Sequence, residues 1–147
     1  MNKRVVITGM GVVAPNGVGL PAFTNAIKKG ISGIKHDAEL ERLQFSCQIA
    51  GKPEVSTELS LHYFTELELR NFNSSGILYG VIAGIDAWKD AGLPIEINDE
   101  PDWNSGTIFG TGTSGIDKFR ESIYKIDDFH TRRLGSTAVA QTMNSGV

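Results

Sequence analysis

The clearest strand signals in the sequence are a short β-branched run at residues 3–8 and a second short run at residues 107–109, and each leads directly into a group of glycines. Uninterrupted runs of β-branched and aromatic residues are typical of strands that are buried on both faces of a sheet. Glycines directly after a strand indicate a tight turn. We therefore predict a strand-turn unit that occurs twice, which places the chain in the α/β class.

The spacing of apolar residues also predicts helices. They cover residues 20–29, 60–70, 77–91 and 116–126, and a further small, apolar helical segment begins at residue 137. Gly30 and Gly92 stand where the first and third helices should end. Gly76, Gly80 and Gly84 recur every fourth residue along the third helix, and small residues at this spacing allow another backbone to pack closely.

The composition is that of an ordinary globular chain, with 147 residues, 40% hydrophobic residues and a formal net charge of −3. A chain of this length supplies one core, so we expect one domain or part of one. There is no Lys/Arg block for nucleic acid, and no apolar run reaches the roughly 20 residues of a membrane span. The N-terminus reaches Gly9 too early for a signal peptide. We expect a cytoplasmic protein without nucleic-acid or membrane partners.

Few residues carry a chemical signature. Cys47 is the single cysteine, and the three histidines lack metal-ligand spacing, so we expect no disulfide and no metal site. Cys47 lies in residues 45–50, a weakly alternating segment that predicts a marginal hairpin or an edge strand. Nothing near it in the sequence favours a thiolate, so we interpret it as a small buried residue and not as a nucleophile. The pair Arg132–Arg133 could contact a phosphate or an acidic partner, although such pairs are usually surface features.

Two glycine patterns match the dinucleotide-binding fingerprint, Gly9-x-Gly11-x-x-Ala14 and Gly110-x-Gly112-x-x-Gly115. Residues 15–17 break the helix that the first pattern would need, and no strand ending in an acidic residue follows the second. We therefore interpret these glycines as turn and packing residues and expect no cofactor. A nucleotide-binding α/β module remains an alternative.

The opening segment Arg4–Gly17 resembles the first strand and turn of the beta-ketoacyl-acyl-carrier-protein synthases. Residues 29–34, 90–93 and 108–115 follow in the same order as similar segments of that family, so the resemblance covers nearly the whole chain. Residues 141–147 resemble the Met-x-Ser-Gly-Val stretch of the type I elongating synthases, which lies shortly before the active-site cysteine.

This resemblance implies a thiolase-like α/β/α layered fold, of which the chain would be the N-terminal half. Residues 1–147 would be the N-terminal part of a ketoacyl synthase domain, truncated before the catalytic cysteine. Members of the family condense an acyl thioester with malonyl-carrier protein after decarboxylation, in fatty-acid or related polyene or polyketide synthesis. They receive acyl groups from acyl carrier protein and usually form homodimers. Their cysteine, two histidines and supporting lysine would lie beyond Val147, so the fragment alone would be inactive.

The resemblance also assigns candidate substrate-binding residues. Thr113 stands where the family varies a residue that lines the acyl pocket, and Met143 stands near the pocket wall on the dimer side. Thr113 departs from the small or aliphatic residue that is common there. The turn glycines would be structural: Gly9, Gly11, Gly110, Gly112 and Gly115. Ordinary roles are equally open, namely a turn or helix-cap residue for Thr113 and core packing for Met143.

A second reading of the same fold is a noncatalytic subunit that resembles a chain-length factor. In such a subunit the cysteine is replaced, and the protein shapes the pocket of its partner in a heterodimer. The residue at the cysteine position beyond Val147 would distinguish the two.

Overall fold

A computed structural model describes residues 4–95 and 102–143 of the chain, which divides into two compact units. Unit 1 comprises residues 1–57 and 82–93, and unit 2 comprises residues 58–81 and 94–147. The expectation of one domain, or part of one, stays a prediction beside this division into two units. Among the described residues, buried apolar side chains are few, and they are Ala26, Ile77 and Ile82.

Unit 1 contains two antiparallel ribbons and two short helices. Its elements are β1 (Val13–Ala14), β2 (Gly17–Val18), α1 (Leu20–Lys28), β3 (Ile34–His36), α2 (Ala38–Arg42) and β4 (Ile49–Gly51). In the first ribbon Val13 lies opposite Val18, and in the second Lys35 lies opposite Ala50. The marginal strand predicted over residues 45–50 is thus partly confirmed, because its end forms β4.

Helix α1 confirms the helix predicted over residues 20–29. Pro21 stands in its first turn, where the missing N–H has no helical partner to lose. Gly30 adopts the left-handed conformation with φ 65°, which is the usual way for a glycine to end a helix. Ala26 in this helix is buried, whereas its neighbour Ile27 is 59% exposed.

Unit 2 is helical in the residues that are described. Its elements are α3 (Thr57–Ser60), which begins at the last residue of unit 1, α4 (Glu66–Asn71), α6 (Ile116–Asp127), a 3-10 turn (Thr131–Arg133) and α7 (Ala138–Thr142). The remaining helix, α5 (Ser75–Asp90), contributes residues 75–81 to unit 2 and residues 82–90 to unit 1. Helices α5, α6 and α7 confirm the three helical segments predicted there. Residues 144–147 lie outside the described residues.

The single helix predicted over residues 60–70 is wrong, because α3 ends at Ser60 and α4 starts anew at Glu66. Thr65 causes the restart. Its hydroxyl accepts the N–H of Glu68 at 3.2 Å, and its own N–H donates to the Glu68 carboxylate at 2.8 Å. This reciprocal capping box satisfies backbone donors that a new helix leaves free. The Thr65 backbone N–H and, at 2.9 Å, the Thr65 hydroxyl both donate to the Glu68 carboxylate, and these two bonds lower the pKa of the Glu68 carboxyl because they stabilise its charged form.

The two predicted buried strands are not strands in the structure. Residues 4–11 and 107–109 have no regular secondary structure, and Ile7 and Ile108 are 84% and 100% exposed. Lys3, the predicted start of the first strand, lies outside the described residues. A strand needs a hydrogen-bonded neighbour, and within residues 4–95 and 102–143 the ladders join only β1 with β2 and β3 with β4. Both segments carry the apolar pattern of a strand, but the described part of the chain places no strand beside either of them.

Within unit 1, the segment around Gly9 and Gly11 packs directly on the backbone of α5. A Cβ on Gly11 would overlap the Ala83 carbonyl oxygen and lie 2.7 Å from the Ala87 nitrogen. The Met10 N–H donates to the Asp90 carboxylate at 2.9 Å. The close packing on α5 therefore uses the alanines of this helix. Of the three glycines predicted for that role, Gly84 is exposed.

Candidate functional site

The turn that opens α6 joins it to the end of α7. Gly115 is the N-cap of α6 and is left-handed, with φ 69° and ψ 12°. A Cβ at this position would overlap the Gln141 carbonyl oxygen and lie 2.7 Å from the Thr142 Cα. The buried Ser114 donates its hydroxyl hydrogen to the Met143 carbonyl at 3.1 Å. Residues 114–115 and the C-terminal end of α7 thus form one contact within unit 2.

Thr113 and Met143, the two candidate substrate-binding residues, flank this contact. Thr113 is exposed and directly precedes Ser114, and Met143 directly follows α7 and is 51% exposed. The helix-cap role considered for Thr113 is wrong, because Gly115 is the N-cap of α6. Core packing is wrong for Met143, since half of its surface is accessible in the described structure. The substrate-binding role of both residues stays a prediction.

The other turn glycines differ in what surrounds them. At Gly110 and Gly112 an added Cβ would meet no heavy atom within 4 Å in the described structure, and neither residue has a left-handed φ. At Gly9 the added atom would overlap the Ala87 carbonyl and lie 2.8 Å from the Ala91 Cβ. The geometry therefore requires glycine at Gly9, Gly11 and Gly115, while the role of Gly110 and Gly112 stays a prediction.

Gln141 is the residue that the sequence analysis missed. Its side chain is buried, and the residue is only 6% exposed. The side-chain oxygen accepts the N–H groups of Asn73 and Ser74 at 2.9 and 3.1 Å. The side-chain nitrogen donates to the Asn71 carbonyl at 2.7 Å and to the Thr137 hydroxyl at 3.2 Å. The amide thus holds α7 against the end of α4 and the residues between α4 and α5. A long polar residue amid the small residues of this helical segment is the signal that could have revealed it.

A carboxylate makes a second link within unit 2. Asp117, in the first turn of α6, accepts the N–H of Ser75 at 2.9 Å, at the start of α5. A carboxylate is stabilised at a helix N-terminus, where unpaired N–H groups carry partial positive charge. The pKa of Tyr79 is raised, first by burial and then by the Asp117 charge, because both disfavour the phenolate.

A polar cavity of about 270 Å³ lies in unit 2 next to Gln141. The cavity is lined by four basic side chains and by one carboxylate, that of Glu121. The basic residues are Arg70, Lys118, Lys125 and Arg133. Arg133 belongs to the basic pair singled out in the sequence. The excess of positive over negative groups makes this cavity suited to an anion.

Two lysines surround the carboxylate of Glu121. Lys118 Nζ lies 2.5 Å from one of its oxygens, and Lys125 Nζ lies 2.6 Å from the other. The hydrogen bond from Lys118, followed by that from Lys125, lowers the pKa of the Glu121 carboxyl below its usual 4.5. A carboxyl group whose pKa is lower in the folded state than in the unfolded state stabilises the fold at pH values above its unfolded-state pKa. This stability is lost as the pH falls through the folded-state pKa.

We therefore expect Glu121→Gln to reduce the acid sensitivity of the fold. The wild type should lose stability as the pH falls below about 4.5, and the variant should lose less over the same range. Urea unfolding from pH 7 to about pH 3 measures this difference. Glu54→Gln is the control, because it removes a carboxylate whose pair with Lys35 is largely exposed. Equal acid slopes for wild type and Glu121→Gln would contradict the prediction.

Cys47 is exposed, so its interpretation as a small buried residue is wrong. Its Sγ lies 3.9 Å from the Ile49 carbonyl, close to the start of β4. In the described ranges no group of three His, Cys, Asp or Glu side chains is arranged to hold a metal ion. No helix within these ranges combines the length and the apolar character that crossing a bilayer requires.

A comparison with protein families decides the affiliation. Residues 2–147 match the family model described as "Beta-ketoacyl synthase, N-terminal domain". The chain belongs to this family. The resemblance carried by residues 4–17, 29–34, 90–93 and 108–115 is thereby confirmed, and it extends over almost the full length of the chain.

Several ketoacyl synthases are similar to the chain at moderate identity. The 3-oxoacyl-[acyl-carrier-protein] synthase 2 of Vibrio harveyi is 35% identical over 78% of the chain and 26% of its own length. Synthase 1 of Buchnera aphidicola subsp. Schizaphis graminum is 29% identical over 99% of the chain and 35% of its own length. A putative polyketide beta-ketoacyl synthase 1 of Streptomyces halstedii is 26% identical over 90% of the chain. The chain thus spans about a third or less of the curated relatives that it matches.

Proposed function

We propose that residues 1–147 are the N-terminal part of a 3-oxoacyl-acyl-carrier-protein synthase domain with a thiolase-like α/β/α fold. The observation that carries the proposal is the family match over residues 2–147, combined with relatives of which the chain spans only 26–35%. The exposed apolar segments 4–8 and 107–109 support it, since each has the pattern of an inner strand of a layered sheet.

The proposed reaction is a decarboxylative condensation. A cysteine thiolate attacks the carbonyl of an acyl thioester, and the thiol of the carrier leaves. Malonyl-carrier protein then loses CO₂ and becomes an enolate, whose carbon attacks the acyl-enzyme carbonyl. The cysteine thiolate departs, and a 3-oxoacyl chain two carbons longer remains on the carrier. Hydrogen-bond donors stabilise the oxyanions that form along this path, namely the enolate and the tetrahedral adduct of each attack on a thioester carbonyl.

The groups that perform these steps would lie beyond Val147. Cys47 is an unsuitable nucleophile, because nothing near it in the sequence favours a thiolate and its Sγ faces the Ile49 carbonyl oxygen at 3.9 Å. The contribution of the chain itself would be the wall of the acyl pocket. Thr113 and Met143 are proposed to line this wall, since both side chains are accessible and their backbones meet at the Ser114–Met143 hydrogen bond.

The proposed partner is an acyl carrier protein, and the whole protein would act in the cytoplasm as a homodimer. The printed names of the relatives, which are 3-oxoacyl-[acyl-carrier-protein] synthases, support a carrier protein as the partner.

The test is a condensation assay on the full-length protein and its Cys47→Ser variant. Both should convert acyl- and malonyl-carrier proteins into 3-oxoacyl-carrier protein at rates within about twofold, because Cys47 takes no part in the reaction. Loss of a true nucleophile would reduce turnover by several orders of magnitude. Mass spectrometry after incubation with the acyl donor should place the acyl group on a cysteine beyond residue 147. Acyl label on Cys47 with a collapsed rate would overturn the placement.

The alternative is a noncatalytic subunit of the same fold, as in a chain-length factor. The putative polyketide beta-ketoacyl synthase among the relatives keeps this alternative relevant. Full-length protein that forms no acyl-enzyme alone, but changes the product length of a catalytic partner, would favour it. Tight binding of NAD or ATP would instead favour the nucleotide-binding alternative, which the packing of Gly11 on the α5 backbone already disfavours.

A further inference from the structure

We propose that Gln141 is a positioning residue that fixes the spacing between Thr113 and Met143 and thereby selects the length of the acyl chain. This inference rests on the proposed function, because it concerns the wall of the same acyl pocket. It goes beyond that function by assigning the selectivity to a residue that does not itself line the pocket.

The Gln141 side chain makes every hydrogen bond that a primary amide can make. Its side-chain oxygen accepts two backbone N–H groups, from Asn73 and Ser74, and its side-chain nitrogen donates twice, to Asn71 and Thr137. The amide therefore uses its full hydrogen-bonding capacity in a site with 6% exposure. A buried amide in this arrangement holds one orientation, since any rotation would leave buried polar groups unpaired.

Helix α7 depends on these bonds for its position. The helix has five residues, and an isolated helix of this length is unstable in water. The Thr137 hydroxyl donates to the same Asn71 carbonyl at 2.7 Å, so both ends of α7 are fixed to the last residue of α4. The other support is the contact of the Gln141 backbone with Gly115. Gln141 thus takes part in both anchors of the helix.

Met143 connects α7 to the candidate pocket. Met143 follows the helix directly, and its carbonyl accepts the hydroxyl hydrogen of Ser114, the neighbour of Thr113. A displacement of α7 therefore changes the spacing between Thr113 and Met143. Pockets that bind apolar chains discriminate a single methylene by roughly 10- to 200-fold, so a small displacement of the wall changes which chain fits.

The experiment compares three variants of the full-length protein. Gln141→Leu removes all four side-chain bonds, whereas Gln141→Glu keeps an oxygen for Asn73 and Ser74 and loses the donors to Asn71 and Thr137. Ser122→Ala is the matched control. Ser122 lines the polar cavity next to Gln141, but its hydroxyl donates to the Lys118 carbonyl within α6. For each variant, kcat and KM are measured with a short and a long acyl donor at equal concentration of folded protein, together with amide hydrogen exchange.

For Gln141→Leu we expect the ratio of kcat/KM between the two donors to change by roughly tenfold, through KM more than kcat. Gln141→Glu should change the ratio in the same direction by a smaller factor, and Ser122→Ala should leave it unchanged. Amide exchange should accelerate at residues 73–75 and 114–116 in both Gln141 variants. If Gln141→Leu does not fold, Gln141→Glu carries the test.

An active wild type whose Gln141 variants lose stability but keep the donor ratio would overturn the positioning role alone. A shift of equal size in Ser122→Ala would also overturn it, because the effect would then be one of general loosening. A full-length wild type that forms no 3-oxoacyl product with any donor would overturn the proposed function, and the inference with it.

Discussion

Replacing Gly11 with alanine is expected to lower the free energy of unfolding by about 3 kcal/mol, near the upper end for overpacking. The new Cβ would overlap the Ala83 carbonyl oxygen and lie 2.7 Å from the Ala87 nitrogen. Both atoms belong to the backbone of α5, so no side-chain rotation can relieve the overlap, and the segment must move off the helix. For a chain of this length the melting temperature should fall by roughly 6–12 °C.

Gly106→Ala is the matched control for this substitution. An added Cβ there would meet no heavy atom within 4 Å in the described structure, and the residue has no left-handed φ. Alanine also restricts the unfolded chain more than glycine does. Gly106→Ala should therefore leave the free energy of unfolding unchanged or raise it by up to about 1 kcal/mol. Equal melting temperatures for Gly11→Ala and Gly106→Ala would contradict the packing of residues 9–11 on α5.

The helices were predictable because their signals are local. In α1 and α5 the apolar spacing repeats within a few turns, and Gly30 and Gly92 stand at the ends with left-handed φ values of 65° and 69°. The restart of the chain at Thr65 was also encoded locally, as a Thr-x-x-Glu capping box, but the apolar spacing across residues 60–70 concealed it. Local periodicity reports the buried face of a helix and does not report where a polar cap interrupts it.

The missed features depend on distant parts of the chain. The strand pattern of residues 4–8 identifies apolar residues, yet strand formation requires a neighbouring strand that the described residues do not provide. Gln141 bonds to residues that lie 67 to 70 positions earlier in the sequence, and no local pattern predicts such a pairing. Cys47 lies in the loop that leads into β4, and the alternation around it did not reveal that it is exposed.

The second large effect is expected for Gly115→Ala, with a loss of roughly 2–4 kcal/mol. One part comes from the left-handed φ of 69°, which costs an L-residue about 1–2 kcal/mol. The other part comes from the Cβ, which would overlap the Gln141 carbonyl and lie 2.8 Å from its carbon. Urea unfolding measures the loss in free energy. Because the overlap pushes α7 away, amide exchange at Ser114 and Met143 should also accelerate.

Two further variants separate the two causes. Gly30→Ala carries the same left-handed strain at φ 65° but has open space around its Cβ, so it should lose only about 1–2 kcal/mol. Gly115→Asn relieves part of the strain, since asparagine tolerates the left-handed region, but it keeps the overlap with Gln141. If the overlap dominates, Gly115→Asn remains nearly as unstable as Gly115→Ala. Recovery of Gly115→Asn to the level of wild type would show that φ alone requires the glycine, and that α7 does not pack on this turn.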